Sequence, residues 1–587
     1  MKGKSKSWLI DEFTPKSWIC LKNKYTLSLF RHDLLAGITV GIVSLPLAIA
    51  FAVATGLPPI AGIYTAIVGG MIISLLGGSF TQIGGVTSSY IVIAYMIIRE
   101  HGYPGLFLTT IVAGFLLIFF ALSRLGKLIK YIPYPLVVGF TSGIAVLIFT
   151  SQVKDFLGLD IQELPLQFIS KWGAIFSSFS TWDPLTFGVA LGTLMVIILV
   201  RHYFPIVPWG FVGIAVATLL TWFFHLPVET IASHFGEIPR ALPTLSVPNL
   251  SASLYQWRDL FPSALTIAFL VSIESLLAAV IGDGMTGRRH KSNCELMAVG
   301  IANIASILFG GLPASGSVAR TAINIKAGAK TPFSGVIHAL TLLVVVVLFA
   351  PVVSLIPLAS LSAVLMIVAW NMSEIRHFRH LFKAPFCDVF ILIVTFFLTI
   401  MADLSTAIGV GIVISAFLFM KRVGDVSGIS PLILKKDDEI EVESEEFNKE
   451  SVELSFLPQG IEIYEITGPF FFGLADSLKD VLSNLEYPPK VFILRMRKVP
   501  TIDATGLHAL KEFYYQCRRD KTVLILSGVN RHVFQALERF DLTKLIGKEM
   551  IFSHIDNAVK KALEVSLAQK SSLKKQTGSN EVTPPNQ

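Results

Sequence analysis

The sequence LFGGLPASGSVAR, residues 308–320, lies between two apolar segments. Glycine, proline and small hydroxyl residues stand here, where an uninterrupted membrane helix would carry leucine. Irregular backbone inside a bilayer is tolerated only where it is buried in protein or lines a cavity. A helix that begins near Ser317 would direct free N–H groups and a partial positive charge toward that cavity, with Arg320 about one turn inside. Such an arrangement favours an anion.

The composition indicates a polytopic membrane protein with an additional soluble part. Of the 587 residues, 53% are hydrophobic and 15% are charged, whereas soluble chains carry about 25% charge. The net charge of +7 is concentrated in loops, which argues against nucleic-acid binding. The four cysteines are scattered without metal-ligand spacing, so we predict reduced thiols, no metal site and no cofactor. The charged N-terminus lacks the apolar core of a cleavable signal peptide.

Fourteen apolar segments are long enough to span, or nearly span, a bilayer. The third and the tenth are too short for a full span. The segments lie near residues 34–54, 61–78, 86–98, 106–123, 131–150, 184–200, 208–225, 262–281, 294–309, 317–327, 334–351, 356–371, 386–402 and 405–420.

Basic residues predict the orientation of these segments. With the N-terminus in the cytoplasm, the inward loops carry Arg124, Lys127, Lys130, Arg201, Arg288, Arg289, Lys291, Lys326, Lys330, Arg376, Arg379 and Lys383. The outward loops carry only Arg99, Lys154, Lys171, Arg240 and Arg258. This asymmetry is what the positive-inside rule requires, so both termini are predicted to be cytoplasmic.

A weak internal repeat relates two of the interrupted segments. The sequence LLGGSFTQIGGVTSSY, residues 75–90, resembles LFGGLPASGSVART, residues 308–321, and the two lie seven segments apart. Because seven is odd, the two halves have opposite orientation. Paired interrupted segments in inverted halves indicate a transporter site near the midplane, with the two half-helix N-termini facing each other.

The composition changes after the last apolar segment. Alternating strand-like and helix-like segments predict a small cytoplasmic α/β domain. We predict a cytoplasmic N-terminal segment, a transmembrane domain, an acidic linker, the α/β domain and a disordered tail, at residues 1–32, 33–422, 423–451, 452–566 and 567–587.

Glu274 is the single ionisable group of ALTIAFLVSIESLLAAVIG, residues 264–282. A charge at the bilayer centre costs about 2.5–3.5 kcal/mol on insertion scales, so this carboxylate needs a partner, water or a proton. It could pair with Arg320, bind a cation or carry a proton, or it could be a structural carboxylate satisfied within the bundle. Arg320 could clamp Glu274, bind the anion, or do both.

Small hydroxyl residues open the two half-helices. Thr87, Ser88 and Ser317 can donate to anionic oxygens, but the same residues are ordinary helix caps. Phe51, in the first segment, could wall the cavity or simply contact lipid or core.

Long stretches of the chain resemble the sulfate permease (SulP) family of anion transporters. They are PLAIAFAVATGLPPIAGIYTA (46–66), GDGMTGRRHKSNCELMAVGIANIASILFGGLPASGSVARTAINIKAGAKTP (282–332) and VAWNMSE (368–374). The sequence VPTIDATGLHALKEF, 499–513, resembles the sulfate transporter and anti-sigma factor antagonist (STAS) domain. Within the family, the sequence is most similar to bacterial members that carry C4-dicarboxylates with protons.

This resemblance implies a seven-plus-seven inverted repeat, with a core domain of segments 1–4 and 8–11 that moves like an elevator past a gate domain of segments 5–7 and 12–14. It implies a bacterial inner-membrane location and a homodimer. The anion would lie between segments 3 and 10. The positions that match the family's site are Phe51, Thr87, Ser317, Ala319 and Arg320.

Two departures from the family pattern bear on coupling. The usual Gly-Pro-Thr is Gly85-Val86-Thr87 here, which removes the preset N1 proline and adds an N–H donor. Two oxygen ligands of sodium-coupled bicarbonate members match Ala278 and Val318. Because a hard cation needs several oxygens, proton coupling through Glu274 is favoured over sodium coupling.

The sequence thus predicts a membrane transporter rather than an enzyme, which takes up sulfate, bicarbonate or a C4-dicarboxylate with protons. An uncoupled anion channel or exchanger and a STAS-centred signalling or scaffold protein remain alternatives. In the STAS segment, the phosphoacceptor position of the related antagonists matches Thr505, a possible regulatory phosphosite. A cytosolic protein partner could bind there.

Overall fold

The computed structural model describes residues 12–23, 25–127, 133–161, 163–204, 207–249, 257–402, 404–432, 460–483, 485 and 487–577. The chain divides into two compact units, Met1–Ser415 and Ala416–Gln587.

Helices dominate the first unit. In chain order, helices α1 to α17 are Lys16–Lys22, Leu27–Ala54, Pro59–Leu76, Ile91–Leu122, Tyr134–Leu157, Phe168–Ser177, Pro184–Tyr203, Trp209–Phe224, Ile231–Phe235, Trp257–Thr286, Ser292–Leu308, Val318–Lys326, Phe333–Ser354, Leu358–Met372, Ile375–Leu381, Phe386–Met401 and Leu404–Val426. Helix α17 continues into the second unit. Two short strands, β1 (Gly84–Gly85) and β2 (Ser315–Gly316), complete this part of the fold.

Each of the fourteen predicted segments is helical in the described residues. Nine helical stretches there are long and apolar enough to cross a bilayer, and three shorter apolar helices accompany them. The third and fourth segments follow each other within α4, which is broken at Gly102 by a φ of 67° and a ψ of −175°. The tenth segment is α12, of only nine residues. The prediction of an α-helical membrane protein with two inverted seven-segment repeats is confirmed.

The helices pack in two groups that match the predicted core domain and, except for the fourteenth segment α17, the predicted gate domain. The core group consists of α2, α3, α4, α10, α11, α12 and α13, and the gate group of α5, α7, α8, α14 and α16. Close packing in the core depends on facing glycines of α4 and α11. A Cβ atom on Gly114 would lie 2.9 Å from the carbonyl oxygen of Gly300, and one on Gly300 would lie 2.8 Å from that of Gly114. Glycine at both positions therefore lets the two backbones touch.

The second unit contains a five-stranded sheet in the order β3-β4-β5-β6-β7, antiparallel between β3 and β4 and parallel elsewhere. These strands are Gly428–Pro431, Ile461–Thr467, Val491–Lys498, Val523–Ser527 and Ile551–Phe552. Helices α18 to α22 are Phe472–Ser483, Ala504–Arg519, Arg531–Arg539, Leu542–Ile546 and Ile555–Thr577. This is the α/β domain that the sequence predicted.

Two boundaries of this domain differ from the predicted ones. Residues 428–431 were predicted as linker but form the edge strand β3, because their backbone pairs with β4 from Gly428 opposite Thr467 to Pro431 opposite Tyr464. Helix α22 runs to Thr577, into the segment predicted as disordered tail, because good helix formers such as alanine, leucine and lysine continue past residue 566. Most of the predicted acidic linker, from residue 433 onward, lies outside the described residues.

Burial gives a chemical prediction for Cys517 of α19. Its side chain is 1% exposed, and this burial raises the pKa of the thiol to about 12. The thiolate is the reactive form of cysteine. With a pKa of about 12, only roughly one Cys517 thiol in ten thousand is a thiolate at pH 8. We expect iodoacetamide at pH 8 to leave Cys517 unmodified in the folded full-length protein, as measured by peptide mass mapping. The half-buried Cys387 is the internal control, and a Cys517 that reacts before unfolding would contradict the packing.

Candidate functional site

The two interrupted segments meet in a two-stranded antiparallel ribbon. Gly84 pairs with Gly316, and Gly85 pairs with Ser315. Strand β1 leads through a short 3-10 turn, Ser88–Tyr90, into α4, and β2 leads directly into α12. Hydrogen bonds between the backbones of the two repeats thus bring the two half-helix N-termini together, as the internal repeat predicted.

Side chains from neighbouring helices satisfy the backbone that the breaks set free. The N–H of Ala314 donates to Oδ1 of Asn303 at 3.0 Å, and Nδ2 of Asn303 donates to the carbonyl of Ala314 at 2.7 Å. The N–H of Gly316 donates to Oγ of Ser275 at 2.9 Å. The irregular backbone is therefore buried in protein, which is the condition for its presence at membrane depth.

Glu274 of α10 lies directly at the ribbon. Its Oε2 accepts hydrogen bonds from Oγ1 of Thr87 at 2.5 Å and from Oγ of Ser315 at 2.8 Å. Its Oε1 accepts from Oγ of Ser89. The hydroxyls of Thr87 and Ser315 also lie 3.0 Å apart. The carboxylate is thus held by three hydroxyls drawn from both repeats.

Arg320 occupies a different place from the one that a pair with Glu274 requires. Its side chain is 2% exposed, and Nη2 donates to the carbonyl of Val86. No ion pair within 4.0 Å joins Arg320 to Glu274 in the part of the chain described here, and Nη1 has no hydrogen-bond partner there. A Cβ on Gly85 would lie 2.6 Å from Nη1. The guanidinium therefore lies against the ribbon with one nitrogen uncommitted, and the direct ion pair considered from the sequence is not formed.

The other predicted residues divide into those at the helix ends and one in the core. Oγ of Ser317 caps α12 by accepting from the N–H of Arg320 at 3.5 Å. Ser88 and Ser317 are half-buried, and Ala319 is exposed on the first turn of α12. Phe51 is 5% exposed and belongs to the main apolar cluster of the membrane unit. The first turn of α12 therefore reaches open space, whereas Phe51 packs.

Ser89 and Ser315 are site residues that sequence reasoning missed. Both contact Glu274, yet neither opens a half-helix in the sense used to select Thr87, Ser88 and Ser317. The observation that would have identified Ser315 is the pairing of β1 with β2, which places it opposite Gly85. This register cannot be read from the sequence.

Thr505 lies in the second unit. It is exposed in the first turn of α19, whose N-cap Asp503 accepts from the N–H of Gly506 at 2.7 Å.

Comparisons with known sequences cover both units. A sequence model of the sulfate permease family matches residues 30–395, and one of the STAS domain matches residues 457–562. The putative sulfate transporter YvdB of Bacillus subtilis is 38% identical over 539 residues, which span 91% of this chain and 98% of that protein.

Solved structures show the same architecture. The murine solute carrier 26 family member A9 anion transporter in the inward-facing state aligns with a TM-score of 0.84 at 18% identity, over 95% of each chain. The transmembrane domain of a cyanobacterium bicarbonate transporter aligns with a TM-score of 0.60 at 29% identity, over 66% of this chain and 99% of that domain. Because the family model matches residues 30–395 and a 38% identical relative spans 91% of the chain, this chain belongs to the sulfate permease family and carries a STAS domain.

Proposed function

We propose that the protein is a secondary active transporter in a bacterial cytoplasmic membrane, which takes up a small oxyanion or dicarboxylate together with protons. The observation that carries this proposal is the ribbon, since it joins two half-helix N-termini to a carboxylate and an arginine. The family members compared above include a putative sulfate transporter and a bicarbonate transporter. C4-dicarboxylates present oxygens of the same kind.

The anion is bound at the helix ends. The first turn of a helix offers unpaired N–H groups and the positive end of the helix dipole. Exposure of Ala319 and partial exposure of Ser88 and Ser317 leave these groups open to a ligand. Arg320 adds a full positive charge, and its uncommitted Nη1 is a further donor.

Glu274 carries the proton. While ionised, it accepts from the hydroxyls of Thr87, Ser89 and Ser315. A protonated carboxyl donates one hydrogen bond, so one of these hydroxyls must turn and accept it, which frees its own hydrogen for the anion. Protonation thus removes the charge that repels the substrate and supplies a donor to it.

Proton uptake also reduces the electrical cost of transport. An inside-negative potential opposes each anionic charge by about 2.3 kcal/mol per 100 mV. A proton that travels with the anion cancels one such charge. The positions that the family resemblance assigns to two sodium ligands are Ala278 and Val318, whose side chains offer no oxygen.

Alternating access then requires the core group to move against the gate group, as in an elevator. The ribbon lies wholly within the core group, so both half-helix ends would travel with it. We also propose that the protein acts as a homodimer with both termini in the cytoplasm, the orientation that the loop charges favour.

Uptake into proteoliposomes tests this function. We expect an inward proton gradient to drive accumulation of at least one of sulfate, bicarbonate, succinate and fumarate, with the four competing for one site. Sodium-dependent uptake that is indifferent to the proton gradient would overturn the coupling. Currents far above carrier turnover would instead favour an uncoupled anion channel.

Ser315→Ala tests the hydroxyl cluster. The variant removes the 2.8 Å hydrogen bond to Oε2 of Glu274 and leaves that of Thr87 in place. Loss of a hydrogen bond to a charged group costs about 1.5–3 kcal/mol, so we expect proton-driven uptake to fall roughly tenfold or more. Initial rates in proteoliposomes measure it. The matched control is Ser362→Ala, which removes a hydroxyl that, among the described residues, bonds only to the carbonyl of Ala359 in its own helix. Equal rates in the two variants would contradict the cluster's role.

The STAS domain suggests a regulatory role in addition. Phosphorylation of the exposed Thr505 would place negative charge at the N-terminus of α19, where a helix dipole stabilises it. Deletion of residues 437–587 is the test. Loss of transport with intact membrane insertion would support regulation by this domain, and unchanged transport would exclude it.

A further inference from the structure

A cavity in the membrane unit adjoins the start of α4, at Ile91 and Val92. Its volume is about 460 Å³, and its walls come from the end of α2, the start of α4, the end of α5, and from α6, α9 and α14. Three of the five basic residues that the sequence assigns to the outward loops line it, namely Arg99, Lys154 and Lys171. Cationic side chains of the outer face are therefore gathered in one place. We call this space the outer cavity.

Lys171 is the unusual member of the outer cavity. Its side chain is only 4% exposed, and its Nζ lies 5.8 Å from the ring centroid of Tyr95, another lining residue. In the residues that the structure describes, no carboxylate lies within 4.0 Å of Nζ and no acceptor takes a hydrogen bond from it. Burial lowers the pKa of this ammonium. The ring of Tyr95 gives this buried cation no counter-charge, which is costly, and a bound anion would supply one.

The remaining charges of the outer cavity leave this lysine unbalanced. Arg99 is paired with Glu163 at 2.6 Å. The other lining charges are Lys154 and the carboxylate of Asp155, together with the titratable His234. With the histidine neutral, three cations face two carboxylates, so the walls have a net charge of +1.

We propose that the outer cavity is a second anion-binding site, in which the buried ammonium of Lys171 binds a small oxyanion or carboxylate before it reaches the ribbon. Passage of the anion from the outer cavity to the ribbon rests on the proposed transport function, whereas binding in the outer cavity does not. A lysine is a compact point charge without the planar fork of arginine. The outer cavity therefore selects by charge, and sulfate and succinate should bind there with similar affinity.

Binding of labelled sulfate to the full-length protein in detergent, by equilibrium dialysis at pH 7, tests this site. We expect Lys171→Met to remove one class of sites or weaken it about tenfold, the effect of losing one charged contact. Lys171→Arg should retain it, and succinate should displace sulfate from it. Arg240→Gln, which removes an exposed basic residue of the same face that does not line the cavity, is the matched control. Lys171→Met binding identical to wild type would overturn the proposal.

A second measurement leaves Lys171 in place, so it tests the outer cavity even if the Lys171→Met variant fails to fold. Ser151 lines the outer cavity and is half-buried, so Ser151→Cys is a reporter. We expect an anionic methanethiosulfonate to react with it faster than a neutral one, and sulfate to slow both reactions. No protection by sulfate would overturn the proposal.

Glu274→Gln separates this proposal from the transport function. In that background, sulfate should still protect the cysteine at position 151, even though proton-driven uptake is lost. If sulfate protects the cysteine but the protein without the Glu274 substitution transports no anion, the outer site is supported and the proposed transport function is overturned. If that protein transports anion but sulfate gives no protection, the transport function is supported and the outer site is overturned.

Discussion

Replacement of Glu274 by glutamine is expected to abolish proton-driven accumulation while exchange of anion across the membrane continues. Glutamine has nearly the same shape, and its carbonyl oxygen can still accept from the hydroxyls of Thr87 and Ser315, which bind Oε2 in the wild type. It cannot bind or release a proton. The site therefore stays assembled but remains in one charge state.

The size of this effect follows from the driving force. A gradient of one pH unit supplies about 1.4 kcal/mol per proton, enough for roughly tenfold accumulation. In proteoliposomes with such a gradient, the wild type should approach that ratio, and Glu274→Gln should stay near one. Counterflow of labelled anion against unlabelled anion measures the exchange that remains.

Glu295 provides the matched control. It is also a buried carboxylate, but its Oε2 accepts from the backbone N–H groups of Gly78 and Ser79 at 2.7 and 3.0 Å, away from the hydroxyl cluster. We expect Glu295→Gln to lower thermal stability, with whatever transport remains still coupled to protons. A Glu274→Gln protein that accumulates anion as the wild type does would refute the role of Glu274.

Gly85→Ala is expected to have the second large effect, a loss of transport of about a hundredfold. Gly85 has a φ of +147°, in a region that L-residues rarely adopt, and such strain costs on the order of 1–3 kcal/mol. Its added Cβ would also lie 2.6 Å from Nη1 of Arg320. Either the guanidinium or the ribbon must shift, and both hold the site.

Gly310→Ala separates strain from displacement. Gly310 has a φ of +75°, but a Cβ there would meet nothing within 4 Å. Both variants should lose a little thermal stability, and only Gly85→Ala should lose substrate binding, as measured by sulfate or succinate binding to the purified protein. Equal loss of substrate binding in the two variants would show that the position of Arg320 does not depend on the absence of a side chain at Gly85.

Much of this architecture was predictable from the sequence. Apolar length and the distribution of basic residues predicted fourteen segments and their alternation, because a bilayer imposes both. The paired glycine-rich breaks predicted that residues near Thr87 and Ser317 would meet. These predictions depend on constraints that act along the chain.

The contacts of individual side chains at the site were not predictable in the same way. Glu274 is held by Ser89 and Ser315, because the register of a two-residue ribbon decides which hydroxyls face it. Arg320 bonds to the carbonyl of Val86 rather than to Glu274. Electrostatic attraction alone favours the ion pair, but the path of the backbone decides which acceptor is within reach.

The edge strand of the second unit was missed for a related reason. Residues 428–431 read GISP, and glycine and proline at the ends of four residues are typical of a loop. The strand forms because the edge of β4 offers a partner. A short edge strand is defined by its neighbour rather than by its own sequence.

The ribbon that joins the two repeats also bears on the energetics of a transport cycle. Since its strands are hydrogen-bonded from Gly84 to Gly316, the two halves of the site cannot part without breaking backbone hydrogen bonds. In the proposed elevator cycle, a ligand held at the ribbon would keep the same contacts with it whichever face is open. We therefore expect the intrinsic dissociation constants at the two faces of the membrane to be similar, so that transport saturates at similar substrate concentrations in the two directions.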